Sequence, residues 1–290
     1  MAEQLISEQQ LSQQQKVWLI SGCSTGFGRE IAEAALRAGY KVVVTARQLA
    51  SINDFAERYG SQVLALSMDI TDAVQIDTAV DVALAHFGRI DVLVNNAGYG
   101  YVAAVEEGED SAVRDLFETN FFGALALSKK VIPHMRARGS GRIINNSSQA
   151  GLMANPGTGY YSASKYALEG LMEALGKELE PFNIQVISVQ PGAFRTDWAG
   201  RSMQRSGVVM EEYQSHVGER LAMIAKMDGL QPGDPVKGAE VFVMLAECEA
   251  PPVRLVLGRG VLESYREKLK EVVDGVDNWE EVSVGVDFVD

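Results

Sequence analysis

Short apolar runs alternate with longer segments of helical periodicity along most of this chain. The apolar runs are rich in β-branched residues and contain few polar positions, which is typical of strands covered on both faces of a sheet. They predict strands at 17–21, 41–45, 63–67, 90–95, 142–147, 184–189 and 254–257. Between them the apolar positions repeat at helical spacing. This pattern predicts helices at 28–38, 52–59, 73–86, 111–135, 162–179 and 236–246.

The alternation of strands and helices predicts an α/β fold with one doubly wound, seven-stranded parallel sheet and helices on both faces. No linker rich in Pro, Gly or Ser divides the chain, so we expect a single domain over residues 16–260. Residues 1–15 are rich in Gln and are predicted to form a flexible extension. Residues 197–230 interrupt the last crossover, and residues 261–290 are predicted to form an acidic tail.

The composition, with 47% hydrophobic and 22% charged residues among 290, is that of a folded globular protein. A formal net charge of −13 disfavours nucleic-acid binding, which depends on Lys and Arg neutralising phosphates. No stretch approaches the roughly 20 apolar residues of a membrane span, and the N-terminus lacks the pattern of a signal peptide. Cys23 and Cys248 lie far apart in sequence, so neither a disulfide framework nor a metal site is predicted. We therefore expect a cytoplasmic protein without metal, nucleic-acid partner or membrane contact.

A glycine-rich turn directly follows the first predicted strand and precedes a predicted helix. It reads Ser21-Gly22-Cys23-Ser24-Thr25-Gly26-Phe27-Gly28. Glycines let the backbone approach a pyrophosphate, while free N–H groups and the dipole of the following helix attract its charge. The spacing G-x-x-x-G-x-G differs from the commoner dinucleotide fingerprint, but strand, turn and helix occur in the required order. We predict a dinucleotide-binding turn in which Cys23 is a packing residue rather than a reactive thiol.

The end of the second predicted strand bears on which dinucleotide binds. An NAD-binding fold usually carries an acid there, about 20 residues after the glycine turn, for the adenosine 2'-hydroxyl. This chain has Ala46 and Arg47 at that point. No carboxylate would repel a 2'-phosphate, and the guanidinium can bind one through two hydrogen bonds. The sequence therefore predicts NADP(H) as the cofactor.

Tyr161 and Lys165 lie one helical turn apart near the start of a predicted helix, which places them on the same face. A tyrosine has an ordinary pKa near 10, so a nearby cation is needed before it can act as a base around neutrality. Lys165 supplies that cation. Neither Tyr160 nor Tyr166 has a lysine four residues further on.

Several motifs together resemble those of the short-chain dehydrogenases/reductases, from about Lys16 to Trp198. The glycine turn fits the family pattern T-G-x-x-x-G-x-G, with Ser21 in the place of Thr and Phe27 in the place of the usual Ile. The segment 95–98 reads N-N-A-G, as the family has after its fourth strand. The segment 191–196 fits its P-G-x-x-x-T.

The resemblance implies a Rossmann-like fold and gives each catalytic position a role. Tyr161 would exchange a proton with the reacting oxygen, and Lys165 would lower the pKa of Tyr161 and hold the nicotinamide ribose. Ser148, thirteen residues before Tyr161, would hydrogen-bond the reacting oxygen. Asn120, in the preceding long helix, would bind a water that links Lys165 to solvent.

The resemblance also implies a set of cofactor-binding residues, in which Asp69 contacts adenine, Asn95 braces the sheet and Thr196 bonds the carboxamide. The full set is Gly22, Ser24, Thr25, Gly26, Phe27, Gly28, Arg47, Asp69, Ile70, Asn95, Ala97, Gly98, Tyr161, Lys165, Pro191, Gly192 and Thr196. Three alternatives stay open. Asp69 could belong to a helix cap, and Asn95 could serve the backbone alone. Asn146 stands where the family usually has an aliphatic residue, and it implies either local polar structure or a substrate contact.

In this family the segment after P-G closes the substrate pocket, so we expect residues 197–230 to form a lid. The residues predicted to line it are Phe194, Trp198, Met203, Val208, Val209, Met210, Tyr213 and Met223. Together with Tyr99, Tyr101, Leu152 and Met153 at the mouth, they predict a lipophilic ketone, aldehyde or secondary alcohol as the small-molecule substrate.

The predicted activity is therefore carbonyl–alcohol interconversion with NADP(H). A sensor of NADP(H) without turnover is disfavoured because all four catalytic positions are filled, and an epimerase or dehydratase usually carries a longer C-terminal domain. The resemblance further implies a homodimer or homotetramer formed through the helices that hold Asn120 and Tyr161. The tail from Val261 would cover the pocket or pack against a neighbouring subunit.

Overall fold

The computed structural model describes residues 15–198 and 200–288, and its strands follow the predicted apolar runs. In chain order they are β1 (Val17–Ile20), β2 (Lys41–Ala46), β3 (Val63–Ser67), β4 (Val92–Asn95), β5 (Gly100–Val102), β6 (Gly141–Asn146), β7 (Ile184–Pro191), β8 (Met203–Arg205) and β9 (Arg254–Leu257). Seven of them form one parallel sheet in the order β3-β2-β1-β4-β6-β7-β9. The predicted seven-stranded, doubly wound sheet is confirmed.

Helices separate the strands as the periodicity predicts. They are α1 (Gly26–Arg37), α2 (Asn53–Tyr59), α3 (Ala73–Phe87), α4 (Asp110–Phe117), α5 (Ala124–Arg138), α6 (Gly159–Leu179), α7 (Glu211–Tyr213), α8 (Glu219–Lys226), α9 (Pro235–Glu247), α10 (Arg259–Asn278) and α11 (Glu280–Val284). Asp72 and Asp234 cap α3 and α9, because each side chain accepts hydrogen bonds from two backbone N–H groups of the first turn.

Two apolar cores lie on opposite faces of the sheet, because successive strand residues point in opposite directions. On one face, Trp18 and Ile20 of β1 pack with Phe242 of α9 and with α1. On the other face, Leu19 packs with Leu127 of α5 and with α3 and α6. The sheet is therefore covered on both sides, as its nearly uninterrupted apolar strands require.

The strand order reverses between β1 and β4. From β1 the chain runs outward through β2 to β3, and it returns to the other side of β1 at β4. In open α/β sheets, ligands bind at the carboxyl ends of the strands next to such a reversal. The turn after β1 and the turn after β4 are thus neighbours at the expected binding edge.

The amino ends of β1 and β4 are joined by a buried carboxylate at the opposite edge. Asp91 accepts a hydrogen bond from the backbone N–H of Val17 at 2.9 Å. Arg89 donates its Nε–H to Asp91 at 2.9 Å, and Arg138 at the end of α5 donates to the same oxygen at 3.3 Å. This one side chain therefore ties two central strands to a helix.

Three features differ from the sequence prediction. The helix predicted over 111–135 contains a π-helical segment at Glu118–Gly123, between α4 and α5. The short strands β5 and β8 pair in parallel as a second, two-stranded sheet. The expected tail after residue 261 is helical as far as residue 284.

Other predictions concern segments at the limits of the described chain. Most of the expected N-terminal extension, residues 1–14, lies outside the described residues. Within residues 15–198 and 200–288, no helix has both the length and the apolar character needed to cross a bilayer. In the same part of the chain, no group of three His, Cys, Asp or Glu side chains is arranged to hold a metal ion.

Candidate active site

The glycine-rich turn connects β1 to α1 and leaves the amino end of that helix open. Gly22 and Gly26 have φ angles of +73° and +59°, a region that favours glycine. Gly28 is buried, and a Cβ there would overlap the Gly22 carbonyl oxygen. No side chain caps α1, and no acidic residue lies in its first turn. The uncapped N–H groups fit the pyrophosphate of a dinucleotide, and the pocket at this helix end is lined by both acidic and basic residues, among them Asp197 and Arg195.

The turn after β4 is fastened to the glycine turn by side-chain hydrogen bonds. The Ser21 hydroxyl oxygen accepts from the backbone N–H groups of Asn96 and Ala97, at 2.9 and 3.0 Å. The Asn96 amide donates in return to the carbonyl oxygens of Ser21 and Gly22, at 2.9 and 3.0 Å. The hydroxyl of Ser21 thus accepts both hydrogen bonds, at the position where the family usually has threonine. Sequence reasoning missed Asn96, although it is the second residue of the N-N-A-G motif.

These bonds continue from the glycine turn to Lys165. Asn146 donates its amide N–H to Asn96 Oδ1 at 2.8 Å, and its backbone carbonyl accepts from Lys165 Nζ at 3.0 Å. The amide N–H of Asn146 thus belongs to local polar structure, while its Oδ1 atom is buried without a hydrogen-bond partner among the described residues. The amide that departs from the family pattern connects two parts of the site.

Asn95 serves the protein framework. Its amide donates to Ser128 Oγ of α5 at 2.9 Å and to Asn145 Oδ1 of β6 at 2.8 Å. The side chain is buried. Asn95 therefore joins β4 to its neighbouring strand and helix beneath the expected cofactor site, in agreement with its expected bracing role.

Tyr161 and Lys165 are both buried on α6, and Lys165 Nζ lies 5.8 Å from the centroid of the Tyr161 ring. Burial raises the pKa of the Tyr161 hydroxyl to about 12, and the proximity of Ser148 and Trp198 opposes that rise. Burial lowers the pKa of the Lys165 ammonium to about 8, and the Glu169 carboxylate one turn further along opposes that fall. Near neutrality the phenol therefore carries a proton next to a cationic lysine.

Ser148 follows the end of β6 and begins a short 3₁₀ turn. Its hydroxyl oxygen accepts from the backbone N–H of Ala150 at 3.1 Å. This bond orients the hydroxyl, and the proximity of Ser148 to Tyr161 favours the ionised phenol. The strand end and the turn thus bring Ser148 to Tyr161, as expected from their spacing in sequence.

Asn120 lies in the π-helical segment and is fully committed to protein contacts. Its amide donates to the backbone oxygen of Tyr99 at 2.9 Å and to Ser164 Oγ at 3.1 Å. Its side-chain oxygen accepts from the backbone N–H of Tyr99 at 3.0 Å. Because both amide N–H groups are used, a water linking Asn120 to Lys165 would have to bind a carbonyl oxygen. The side chain itself positions Tyr99.

The remaining expected cofactor residues fall into two groups. At the carboxyl edge, Thr196 approaches the glycine turn, since a Cβ on Gly26 would lie 3.5 Å from Thr196 Cβ. Pro191 ends β7, and the space beside Gly192 is filled by Val261 from the start of α10. The tail therefore packs behind the P-G turn of its own chain.

Other expected residues make side-chain contacts within the protein. Phe27 packs on Phe194 with ring centroids 4.9 Å apart. Ile70 is buried against Gly123 of the π-helical segment. Asp69 accepts from the backbone N–H and the hydroxyl of Thr71, at 3.0 and 2.8 Å. The cap of α3 is Asp72 rather than Asp69.

The family comparison agrees with this arrangement of motifs. A sequence model of the short-chain dehydrogenases matches residues 16–206. The chain belongs to the short-chain dehydrogenase family. Members of this family bind nicotinamide cofactors and act on small molecules, so the protein is an oxidoreductase.

This short-chain dehydrogenase resembles relatives over most of its length. It is 37% identical over 271 residues to oxidoreductase BOA17 of Botryotinia fuckeliana, covering 93% of this chain and 98% of that protein. It is 37% identical over 248 residues to the 3-ketodihydrosphingosine reductase of Bacteroides thetaiotaomicron, covering 84% and 88% of the two chains. The crystal structure of a short-chain dehydrogenase from Streptomyces avermitilis matches with a TM-score of 0.88 at 41% identity, covering 94% of this chain and 99% of that one.

An aromatic cluster surrounds Tyr161 in this short-chain dehydrogenase. Tyr101 is buried beside it, and Tyr99, Tyr160 and Trp198 pack around the pair. The Trp198 ring lies 5.3 Å from the Tyr161 ring, centroid to centroid, at an interplanar angle of 49°. The Tyr161 side chain is therefore packed among aromatic rings.

The lid differs from the prediction in which of its residues face the site. Met203 and Tyr213 pack with α8 in a separate apolar cluster. Val208, Val209 and Met223 are exposed to solvent. Phe194 packs behind the glycine turn, because its ring meets Phe27. Among the residues predicted to line the lid, Trp198 packs against both this separate cluster and the aromatic cluster, where it contacts Tyr161 at a tilted angle.

Proposed function

We propose that this short-chain dehydrogenase interconverts a carbonyl and an alcohol with NADP(H), with Tyr161 as the general acid and base. The observation that carries the proposal is a buried, protonated Tyr161 beside Lys165 and Ser148, at the sheet edge that holds the open end of α1. A protonated phenol in an apolar setting can donate to a carbonyl oxygen, and a nearby ammonium stabilises the phenolate that remains.

Each of these residues has a separate role when a carbonyl is reduced. Tyr161 gives its hydroxyl proton to the substrate oxygen, while Ser148 donates a hydrogen bond to the same atom and stabilises its developing charge. The nicotinamide, when bound, supplies the hydride for the carbonyl carbon. Lys165, held by the Asn146 carbonyl, stabilises the phenolate through its positive charge. In oxidation the same groups act in reverse.

Support for NADP(H) rests on Arg47. Its side chain is exposed and forms no ion pair with any described residue, while the preceding Ala46 is buried. A guanidinium free to bind a phosphate favours the 2'-phosphate form.

We expect kcat/KM to be higher with NADPH than with NADH. Arg47→Ala should raise KM for NADPH by about 10- to 100-fold, since a charge-assisted hydrogen bond contributes about 1.5–3 kcal/mol. The KM for NADH serves as the internal control and should stay unchanged. A wild-type enzyme that is faster with NADH would contradict this part of the proposal.

The substrate is proposed to be lipophilic, because the surfaces around Tyr161 are aromatic. The Bacteroides relative is named as a reductase of 3-ketodihydrosphingosine, and a keto group is the carbonyl required here. NADPH consumption with a panel of long-chain ketones, aryl ketones, steroids, retinoids and sugars tests the proposal. Best turnover on a sugar or an acyl-carrier thioester would overturn it. The homodimer or homotetramer and the cytoplasmic location stay predictions.

A further inference from the structure

Trp198 carries a buried hydrogen-bond donor next to Tyr161, the proposed acid–base residue. Its ring packs against Tyr161 at a tilted angle, while its Nε1 atom is buried and has no hydrogen-bond partner among residues 15–198 and 200–288. Buried polar groups in folded proteins nearly always have a partner, so such an unpaired donor calls for a physical explanation.

The chemistry of indole restricts that explanation. An indole N–H can donate a hydrogen bond but cannot accept one. The indole N–H lies close enough to the Tyr161 hydroxyl to favour the ionised phenol. Ser148 has the same effect on the pKa of Tyr161. A phenolate oxygen is a stronger acceptor than a neutral phenol oxygen, so ionisation of Tyr161 would strengthen its attraction for the indole N–H.

The indole is held in this position by its surroundings. A Cβ on Gly100 of β5 would lie 2.9 Å from Trp198 Cζ2, so the ring fills the space that glycine leaves open. The backbone N–H of Gly100 donates to the Ser202 backbone oxygen at 2.8 Å, so β5 and the lid segment are joined beside the ring. On the other side, the Trp198 backbone N–H donates to Thr196 Oγ1 at 3.4 Å. The lid and the expected cofactor segment thus both fix the donor.

We propose that Trp198 is a second hydrogen-bond donor at the reacting oxygens, together with Ser148. In reduction, the O–H bond of Tyr161 breaks, the proton passes to the substrate oxygen, and the phenolate accepts a hydrogen bond from the indole N–H. The indole keeps its own proton throughout. This inference rests on the proposed function, because it assigns Trp198 a role in the same proton exchange.

Trp198→Phe tests the proposal, because phenylalanine keeps an aromatic ring on Tyr161 and lacks the N–H. We expect kcat to fall by about 10- to 100-fold, in the range for loss of one donor at a developing negative charge. In alcohol oxidation, which needs the phenolate, the rise of kcat with pH should move to higher pH, since the group that favours ionisation is gone. The KM for NADPH should stay as in the wild type.

A second variant tests the position of the indole N–H rather than its presence. Gly100→Ala keeps the indole N–H but displaces the ring, so it should shift the pH profile in the same direction. Trp279→Phe is the matched control, because the indole of Trp279 is exposed in the C-terminal segment, and it should change neither kcat nor the profile.

The outcomes distinguish this inference from the proposed function. A wild type that turns over no carbonyl or alcohol would overturn both. A wild type with turnover, combined with a Trp198→Phe variant that changes only the substrate KM and leaves the pH profile in place, would overturn the role of Trp198 alone. Such a result would mean that Trp198 only lines the substrate pocket.

Discussion

At the scale of single residues, burial moves the two central titrating groups in opposite directions. The pKa of Tyr161 rises to about 12, because its charged form is desolvated, and that of Lys165 falls to about 8 for the same reason. Below about pH 8 the phenol is therefore protonated while the lysine is charged, and between the two pKa values both groups are neutral. The free enzyme is therefore prepared to donate a proton, and the spacing of Tyr161 and Lys165 in sequence predicted the pair but not the depth of its burial.

Lys165→Met should stabilise the protein at pH 7. Burial depresses the lysine pKa from 10.5 to about 8, so the folded state carries a penalty below pH 8 that disappears as pH rises towards 10.5. That shift corresponds to about 3 kcal/mol, and loss of the bond to Asn146 offsets about 1 kcal/mol. We expect a gain of about 2 kcal/mol in the free energy of unfolding at pH 7, most of it lost at pH 10.

Urea unfolding of both proteins at the two pH values measures this gain. A variant less stable than the wild type at pH 7, or a gain that does not depend on pH, would contradict the account of Lys165.

Gly28→Ala should abolish dinucleotide binding. A Cβ at this buried position overlaps the backbone carbonyl of Gly22 and the side-chain amide of Asn96 that holds the turn. Gly170→Ala is the control, because a Cβ there meets nothing within 4 Å on the exposed side of α6. The control should bind as the wild type and gain about 0.5–1 kcal/mol in stability. Calorimetric titration with NADPH decides the matter, and retained affinity in Gly28→Ala would contradict the proposed role of the turn.

At the scale of elements, the sequence predicts those that local pattern determines. The long strands and helices have clear periodicity. The strands β5 and β8 have three residues each and pair across 100 positions of sequence, so no local pattern could reveal them. The π-helical segment depends on the tertiary bonds of Asn120 to Tyr99. The sequence does contain a pattern that indicates α10, because Leu262, Leu269 and Val276 recur at helical spacing.

Asp91→Ala should destabilise the central elements. It leaves the Val17 N–H without its acceptor and removes the carboxylate that Arg138 binds. Removing one partner of a buried pair costs about 3 kcal/mol. Asp77→Ala, which breaks an exposed pair with Lys130, should change stability by less than about 0.5 kcal/mol. Equal unfolding midpoints in urea for the two variants would contradict the stated role of Asp91.

At the scale of the whole molecule, the parallel sheet gathers residues that are distant in sequence. The glycine turn follows β1, Asn96 follows β4, Ser148 follows β6 and Gly192 follows β7. Because all carboxyl ends meet at one edge, the sequence order of strands and motifs was sufficient to predict this gathering. The bonds between the turns and the contact of Trp198 with Tyr161 depend on side-chain packing, and the sequence pattern carried no sign of them.

The central claim is that Tyr161 exchanges the proton while the nicotinamide exchanges the hydride. The most direct measurement is NADPH oxidation by Tyr161→Phe with the best carbonyl substrate, alongside calorimetric titration of the same variant with NADPH. We expect turnover to fall by about 10²- to 10⁴-fold, the usual contribution of general acid catalysis, while NADPH binds as in the wild type. Undiminished turnover in a variant that binds NADPH would contradict the claim.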